Sequence, residues 1–135
     1  MRRPAKSIVF VVDDDRDVRS SLKFVLQTAG FGVQTFSDAR SLLASSRKDR
    51  ADCFIIDYKM PRIDGLDLTR RLRASGARAP ILIITGYPGD GLEELASAAG
   101  ARRVLYKPHV EDELVREVSL AIANEASNPS LRESP

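Results

Sequence analysis

The chain has 135 residues, the size of one ordinary domain and enough for a two- or three-layer core. Hydrophobic residues at 43% and charged residues at 30% give the balance of a soluble globular protein, and a net charge of +2 is too small to argue for nucleic acid. The single cysteine, Cys53, excludes an internal disulfide and fits a reducing, cytoplasmic setting, while no apolar run approaches the ~20 residues that cross a bilayer.

Residues 1–6 read as a basic N-terminal extension. The run "IVFVV" (8–12) is too short for the apolar region of a signal peptide and ends in acids, so it reads as a first strand. Val18, Leu22, Val25, Leu26 and Ala29 then keep the spacing of one helix face, with Gly30 as a left-handed stop. "GVQTF" (32–36) alternates more than the other runs and reads as a strand near a sheet edge; Ser37 is placed to cap a short helix carrying Ala39, Leu42 and Leu43. "CFII" (53–56) is continuously apolar, and Leu68 and Leu72 mark a third helix ending before Gly76 and Pro80. "ILII" (81–84) is again continuously apolar. Leu92, Leu95, Ala96 and Ala99 mark a fourth helix closed by Gly100. "RVLY" (103–106) is a short, partly polar fifth run, and Leu114, Val118 and Ile122 mark the last helix, flanked by Val115 and Ala121. The polar, proline-bearing stretch 124–135 is expected to be a disordered tail or the start of a linker.

Strands alternating with helices imply right-handed crossovers onto a parallel sheet. The reading is an α/β fold in a single domain, residues 7–123, with five parallel strands and helices on both faces. In such a sheet function gathers beyond the carboxyl ends of the strands. The first run ends there in Asp13, Asp14 and Asp15, the third in Asp57, the fourth in Thr85-Gly86 and the fifth in Lys107-Pro108.

The electrostatics of that end define what it needs. Two carboxylates ~5 Å apart repel by roughly 3 kcal/mol at an effective dielectric of about 20, and one lysine leaves the acids short of positive charge. A hard divalent cation with oxygen ligands supplies it, and Mg2+ is the cellular default; without a histidine or cysteine cluster, zinc and copper do not fit. With the ion bound, an Asp57 oxygen stays ionised and able to attack an electrophilic phosphorus, while Thr85 donates a hydrogen bond and Lys107 pairs with negative charge.

The motifs "VVDDD" (11–15), "IIDYKMPRIDG" (55–65), "IITG" (83–86) and "LYKP" (105–108), in this order and spacing, resemble those of the receiver domain of bacterial two-component response regulators. The resemblance covers residue 7 to about 123. It implies a flavodoxin-like, doubly wound sheet with strand order 2-1-3-4-5. It also implies that Asp57 accepts a phosphoryl group from a histidine kinase or a histidine phosphotransfer protein. Asp13, Asp14, Asp57 and the backbone carbonyl of Lys59 would hold Mg2+, and Thr85 and Lys107 would contact the phosphoryl group and relay its presence. The Lys107-Pro108 bond is typically cis in such domains. Two positions depart from the pattern. Val104 stands where many relatives carry a switching aromatic residue, and His109 follows the Lys-Pro pair where an aromatic is usual. Tyr106, next to Lys107, is expected on the opposite sheet face.

Plainer roles compete for some of these residues. Asp15 fits a helix start better than a metal. His109 reads as an exposed loop residue and Cys53 as a small core residue. Of the four arginines in "RRLRASGARAP", three are expected on a solvated helix face, with no aromatic platform for nucleic acid. A small phosphohydrolase with an aspartyl-phosphate intermediate would need an acid where Lys59 stands, and a nucleotide binder would need a glycine-rich loop where "VVDDDRD" stands. The reading is therefore a signalling phosphoacceptor with no output domain following the last helix, either a stand-alone receiver or a piece of a longer regulator. Its face around helix 4, strand 5 and helix 5 is where a downstream protein, or a second copy in a phosphorylation-dependent homodimer, would dock.

Overall fold

The structure, a computed structural model, describes residues 6–126 apart from positions 88 and 109. The expected N-terminal extension up to residue 5, the tail from residue 127 and the loop reading of His109 lie outside the described residues. Strands and helices alternate as the spacing predicts: β1 (Ile8–Val12), α1 (Arg16–Thr28), β2 (Gly32–Phe36), α2 (Ala39–Ala44), β3 (Cys53–Asp57), α3 (Gly65–Ala74), β4 (Ile81–Thr85), α4 (Leu92–Ala99), β5 (Arg103–Tyr106) and α5 (Val110–Ala126). A short 3-10 turn, Lys48–Arg50, precedes β3.

All four strand pairings are parallel, and the sheet order is β2-β1-β3-β4-β5. The continuously apolar strands β1, β3 and β4 are the interior ones, and the more polar β2 and β5 form the edges. Side chains alternate between two faces, as strand geometry requires. Phe10, Val12, Phe54, Ile56, Ile81 and Ile83 pack against α2, α3 and α4, where the Phe10 and Phe54 rings meet edge to face at 5.8 Å. Val9, Val11, Ile55, Leu82, Ile84 and Leu105 pack against α1 and α5. Cys53 belongs to this second layer, and burial pushes its thiol up to about 12, which leaves it inert as a nucleophile.

Several local expectations are corrected. Asp38, not Ser37, caps α2: it is the residue before the first helical one, and its carboxylate accepts from the Ser41 amide at 2.7 Å. Leu95 is 50% exposed, because α4 lies on the sheet along a narrow strip that Leu92, Ala96 and Ala99 fill. Ala121, beside the stripe, is fully buried; α5 continues through Asn124 to Ala126, past the expected start of the tail, since no helix breaker intervenes before Pro129. Arg73 is not solvated. Its guanidinium donates to the carbonyls of Gly100, Ala77 and Ala79 at 2.8 to 3.1 Å, tying the ends of α3 and α4 to the entry of β4. Glu117 on α5 is also buried, paired with Arg103 of β5 at 3.1 Å.

Candidate functional site

The sheet ends deliver the chemistry because every interior strand stops on a polar residue at the same edge. Asp13 follows β1, Asp57 ends β3 and Thr85 ends β4. Backbone bonds hold these ends level: the Asp13 amide donates to the Phe36 carbonyl at 3.1 Å, Tyr58 to Ile84 at 2.8 Å and Lys107 to Thr85 at 2.8 Å. Asp13, Asp57 and Thr85 are buried, at 0%, 4% and 1% exposure. They line a cleft of about 520 Å³ together with Asp14, Lys59 and Lys107.

One ammonium serves two acids. Lys107 Nζ donates to Asp13 Oδ2 at 3.2 Å and to Asp57 Oδ1 at 3.3 Å. Desolvation by burial pushes the Asp57 carboxyl up to about 6; repulsion from Asp13 adds to this and Lys107 opposes it. Burial raises Asp13 as well, against the Asp15 amide and Lys107, which favour its charge. Burial alone would lower Lys107, but the attraction of Asp57 and Asp13 outweighs it and the ammonium is held above its ordinary value. The shared ammonium is thus better satisfied than the acids that share it.

The surrounding loops fix each group. Asp15 caps α1, accepting from the Asp17 and Val18 amides at 2.9 and 3.3 Å, and so serves the helix start. Asp13 Oδ1 accepts from the Asp15 amide at 2.9 Å, and Arg19 donates to the Asp13 carbonyl at 2.7 Å. Sequence reasoning missed Arg19, although its place one turn into the helix that follows the acids is the available signal. After β3 the chain turns through Arg62, held at a positive φ of 72°, to Asp64, which caps α3 by accepting from the Asp67 amide. The Lys107-Pro108 bond is cis. Thr85 Oγ1 accepts from the Tyr87 amide at 3.0 Å and donates to its carbonyl at 3.3 Å. Lys59 Nζ lies 5.0 Å from the centre of the Tyr87 ring, a contact between two loops that no spacing rule reveals. Tyr106 turns away from the cleft towards α4, its hydroxyl donating to Glu93 at 2.9 Å.

The donor set suits a hard cation. Asp13, Asp14 and Asp57 each offer a carboxylate oxygen within 4.8 Å of the others. Adjacent oxygens around an octahedral magnesium ion lie about 3 Å apart and opposite ones about 4.2 Å, so the acids close the set by a further approach. Asp14, the exposed member, has room to make it.

Residues 9–119 match the family described as the response regulator receiver domain. The chain is 38% identical over 117 residues to the transcriptional regulatory protein FixJ of Bradyrhizobium diazoefficiens, which covers 87% of this chain and 57% of FixJ. It is 39% identical over 107 residues to the response regulator MprA of Mycolicibacterium vanbaalenii, covering 79% of this chain and 46% of MprA. The chain therefore spans about half the length of the curated relatives it matches. Among solved structures, the response regulator StyR superposes with a TM-score of 0.84 at 35% identity, covering 96% of this chain and 66% of StyR. The chemotaxis protein CheY4 of Vibrio cholerae gives 0.81 at 30% identity, covering 87% of this chain and 99% of CheY4.

Proposed function

The chain belongs to the response regulator receiver family, and from that premise we propose that Asp57 accepts a phosphoryl group from the phosphohistidine of a histidine kinase or histidine phosphotransfer protein. An Asp57 oxygen attacks phosphorus and the phosphorus–nitrogen bond breaks. The bonding electron pair stays on the imidazole, which leaves neutral because its other nitrogen carries a proton. The observation that carries this reading is the Asp57 carboxylate itself, buried at the end of a central strand and held by an ammonium that it shares with Asp13. Such a group gains from any partner that relieves the local excess of negative charge.

Asp13, Asp14 and Asp57, with the Lys59 carbonyl, would hold Mg2+, which when bound neutralises charge on the phosphoryl oxygens. Lys107 pairs with the transferred group, and the Thr85 hydroxyl turns from the Tyr87 carbonyl to donate to it. Both contacts are charge-assisted and arise only with the modification, so they favour a rearranged loop after β4. The face formed by α4, β5 and α5 then presents an altered surface to a downstream protein or to a second copy. In this role the domain is a switch and not an enzyme acting on a separate substrate. It binds no nucleic acid itself and works in the cytoplasm; among the described residues no helix is long and apolar enough to cross a membrane.

Radiolabelled acetyl phosphate with Mg2+ tests the assignment. Wild type becomes labelled and Asp57→Ala does not. Label that persists in Asp57→Ala overturns it.

A further inference from the structure

Val104 removes the ring that would report occupancy from β5: it is an aliphatic side chain, 6% exposed and packed among the residues that face α4. The cleft nevertheless has a ring at its mouth. Tyr87 is 66% exposed, lies two residues beyond Thr85, and among the described residues is tied down by groups that themselves face the cleft. Its amide and carbonyl both bond the Thr85 hydroxyl, and Lys59 Nζ sits 5.0 Å from its ring centre.

Two of these ties, the hydroxyl's bond to the Tyr87 carbonyl and the ammonium over the ring, have a stronger competitor once Asp57 carries a phosphoryl group; the amide bond to Thr85 Oγ1 persists as a hinge. The Thr85 hydroxyl has one hydrogen, so donating it to a phosphoryl oxygen ends its bond to the Tyr87 carbonyl. An ammonium over an exposed ring favours that arrangement by only about two- to five-fold. The concentrated negative charge of a phosphoryl group, in a cleft walled by a buried strand end, attracts the same ammonium more strongly.

Resting on the phosphoacceptor reading of Asp57, we propose that Lys59 is a shared cation. It anchors the Tyr87 ring in the unmodified protein and moves to the phosphoryl oxygens in the modified one. The position of Tyr87 is then the chain's own readout of occupancy. Lys59 acts here as a positioning residue through its ammonium, separately from its backbone carbonyl. The freed ring lies on the loop that leads into α4, next to the face assigned to partners.

The chain has three tyrosines and no tryptophan, which makes 3-fluorotyrosine labelling followed by fluorine NMR a direct probe. Tyr87→Phe identifies the Tyr87 resonance. Fluoroberyllate with Mg2+ is the phosphoryl mimic, and its own bound fluorine signal reports whether the cleft is filled. In wild type the Tyr87 resonance moves when the bound signal appears. In Lys59→Met it starts near the position that wild type reaches and moves little further, and Lys59→Arg, which keeps the charge, restores the wild-type shift. A wild-type Tyr87 resonance that stays in place while the bound signal is present overturns the inference alone, as does an equal movement in Lys59→Met. A wild type that shows no bound signal overturns the phosphoacceptor reading, and the inference with it.

Discussion

At the scale of single residues, the site is a charge imbalance held in place by burial. Asp57 and Asp13 share one ammonium, and the Asp57 carboxyl sits at about 6 against an ordinary value of 3.8. A carboxyl raised in the folded state makes that state bind a proton which the unfolded chain has already released. Between about pH 4 and 6 the native protein therefore holds more protons, and stability falls as pH rises through that window. Asp57→Asn removes this loss. In the metal-free protein the substitution is expected to raise stability at pH 7 by about 1–3 kcal/mol. The upper end corresponds to a carboxyl moved from 3.8 to about 6, and the lost Lys107 contact reduces it. The gain is expected to vanish near pH 4, where Asp57 is largely protonated in the folded protein and about half protonated in the unfolded chain. Urea unfolding of both proteins in chelator at pH 4 and pH 7 measures this, and a pH-independent difference contradicts it. The position of Asp57 was legible from sequence because a carboxylate closing an apolar run is costly without a partner. The Lys59–Tyr87 contact was not legible, since each residue reads as an ordinary loop residue until the fold brings their loops together.

At the scale of elements, the close approach of α3 to the end of β3 fixes the direction of Asp57. Gly65 opens α3, and its amide donates to the Tyr58 carbonyl at 2.8 Å. A Cβ at that position would lie 2.6 Å from the Asp57 carbonyl oxygen and 2.9 Å from the Tyr58 Cα. Both are backbone atoms, which cannot turn aside. Gly65→Ala gains up to about 1 kcal/mol in helix propensity, but overpacking against backbone costs about 1–3 kcal/mol or more, so a net loss of about 1–2 kcal/mol is expected. The urea midpoint falls, and labelling by acetyl phosphate slows because the strand end is displaced; an unchanged or higher midpoint would show that the helix start yields freely. The same scale shows where periodicity reaches its limit. It found all five helices, since a buried stripe is a local property. It placed Leu95 on the buried face because it cannot show how narrow a strip of sheet α4 covers. It placed Arg73 in solvent because the carbonyls that Arg73 binds come from a loop and from the end of a different helix. Ser37 and Asp38 are both good caps, and only the backbone path decides between them.

At the scale of the whole molecule, the two faces of the sheet are anchored unequally, and this decides where a change at the cleft travels. On one face α1 buries Leu22 and Leu26 while α5 buries Val110, Leu114, Val118 and Ala121. On the other, α3 buries Leu66, Leu68 and Leu72, but α4 buries a single leucine and two alanines, Leu92, Ala96 and Ala99. Methyl-sized side chains bury little area, so α4 gains less from staying in place than α3 or α5. Its start is also weak: Gly91 at the N-cap adopts a left-handed φ of 76° and contributes no side-chain bond to the first turn. The segment after Thr85 thus joins a strand end that lines the cleft to a weakly anchored helix. Filling the cleft with fluoroberyllate and Mg2+ is expected to change amide exchange chiefly from residue 85 to 106, through the loop, α4 and β5. Amides of β1 and β3, and of α1 and α3 away from the cleft, are expected to keep their protection, because opening them requires parting from the larger apolar contacts. Hydrogen exchange followed by mass spectrometry distinguishes the cases. Changes confined to the immediate neighbours of Asp57, with α4 unaltered, would mean that the signal does not leave through this helix.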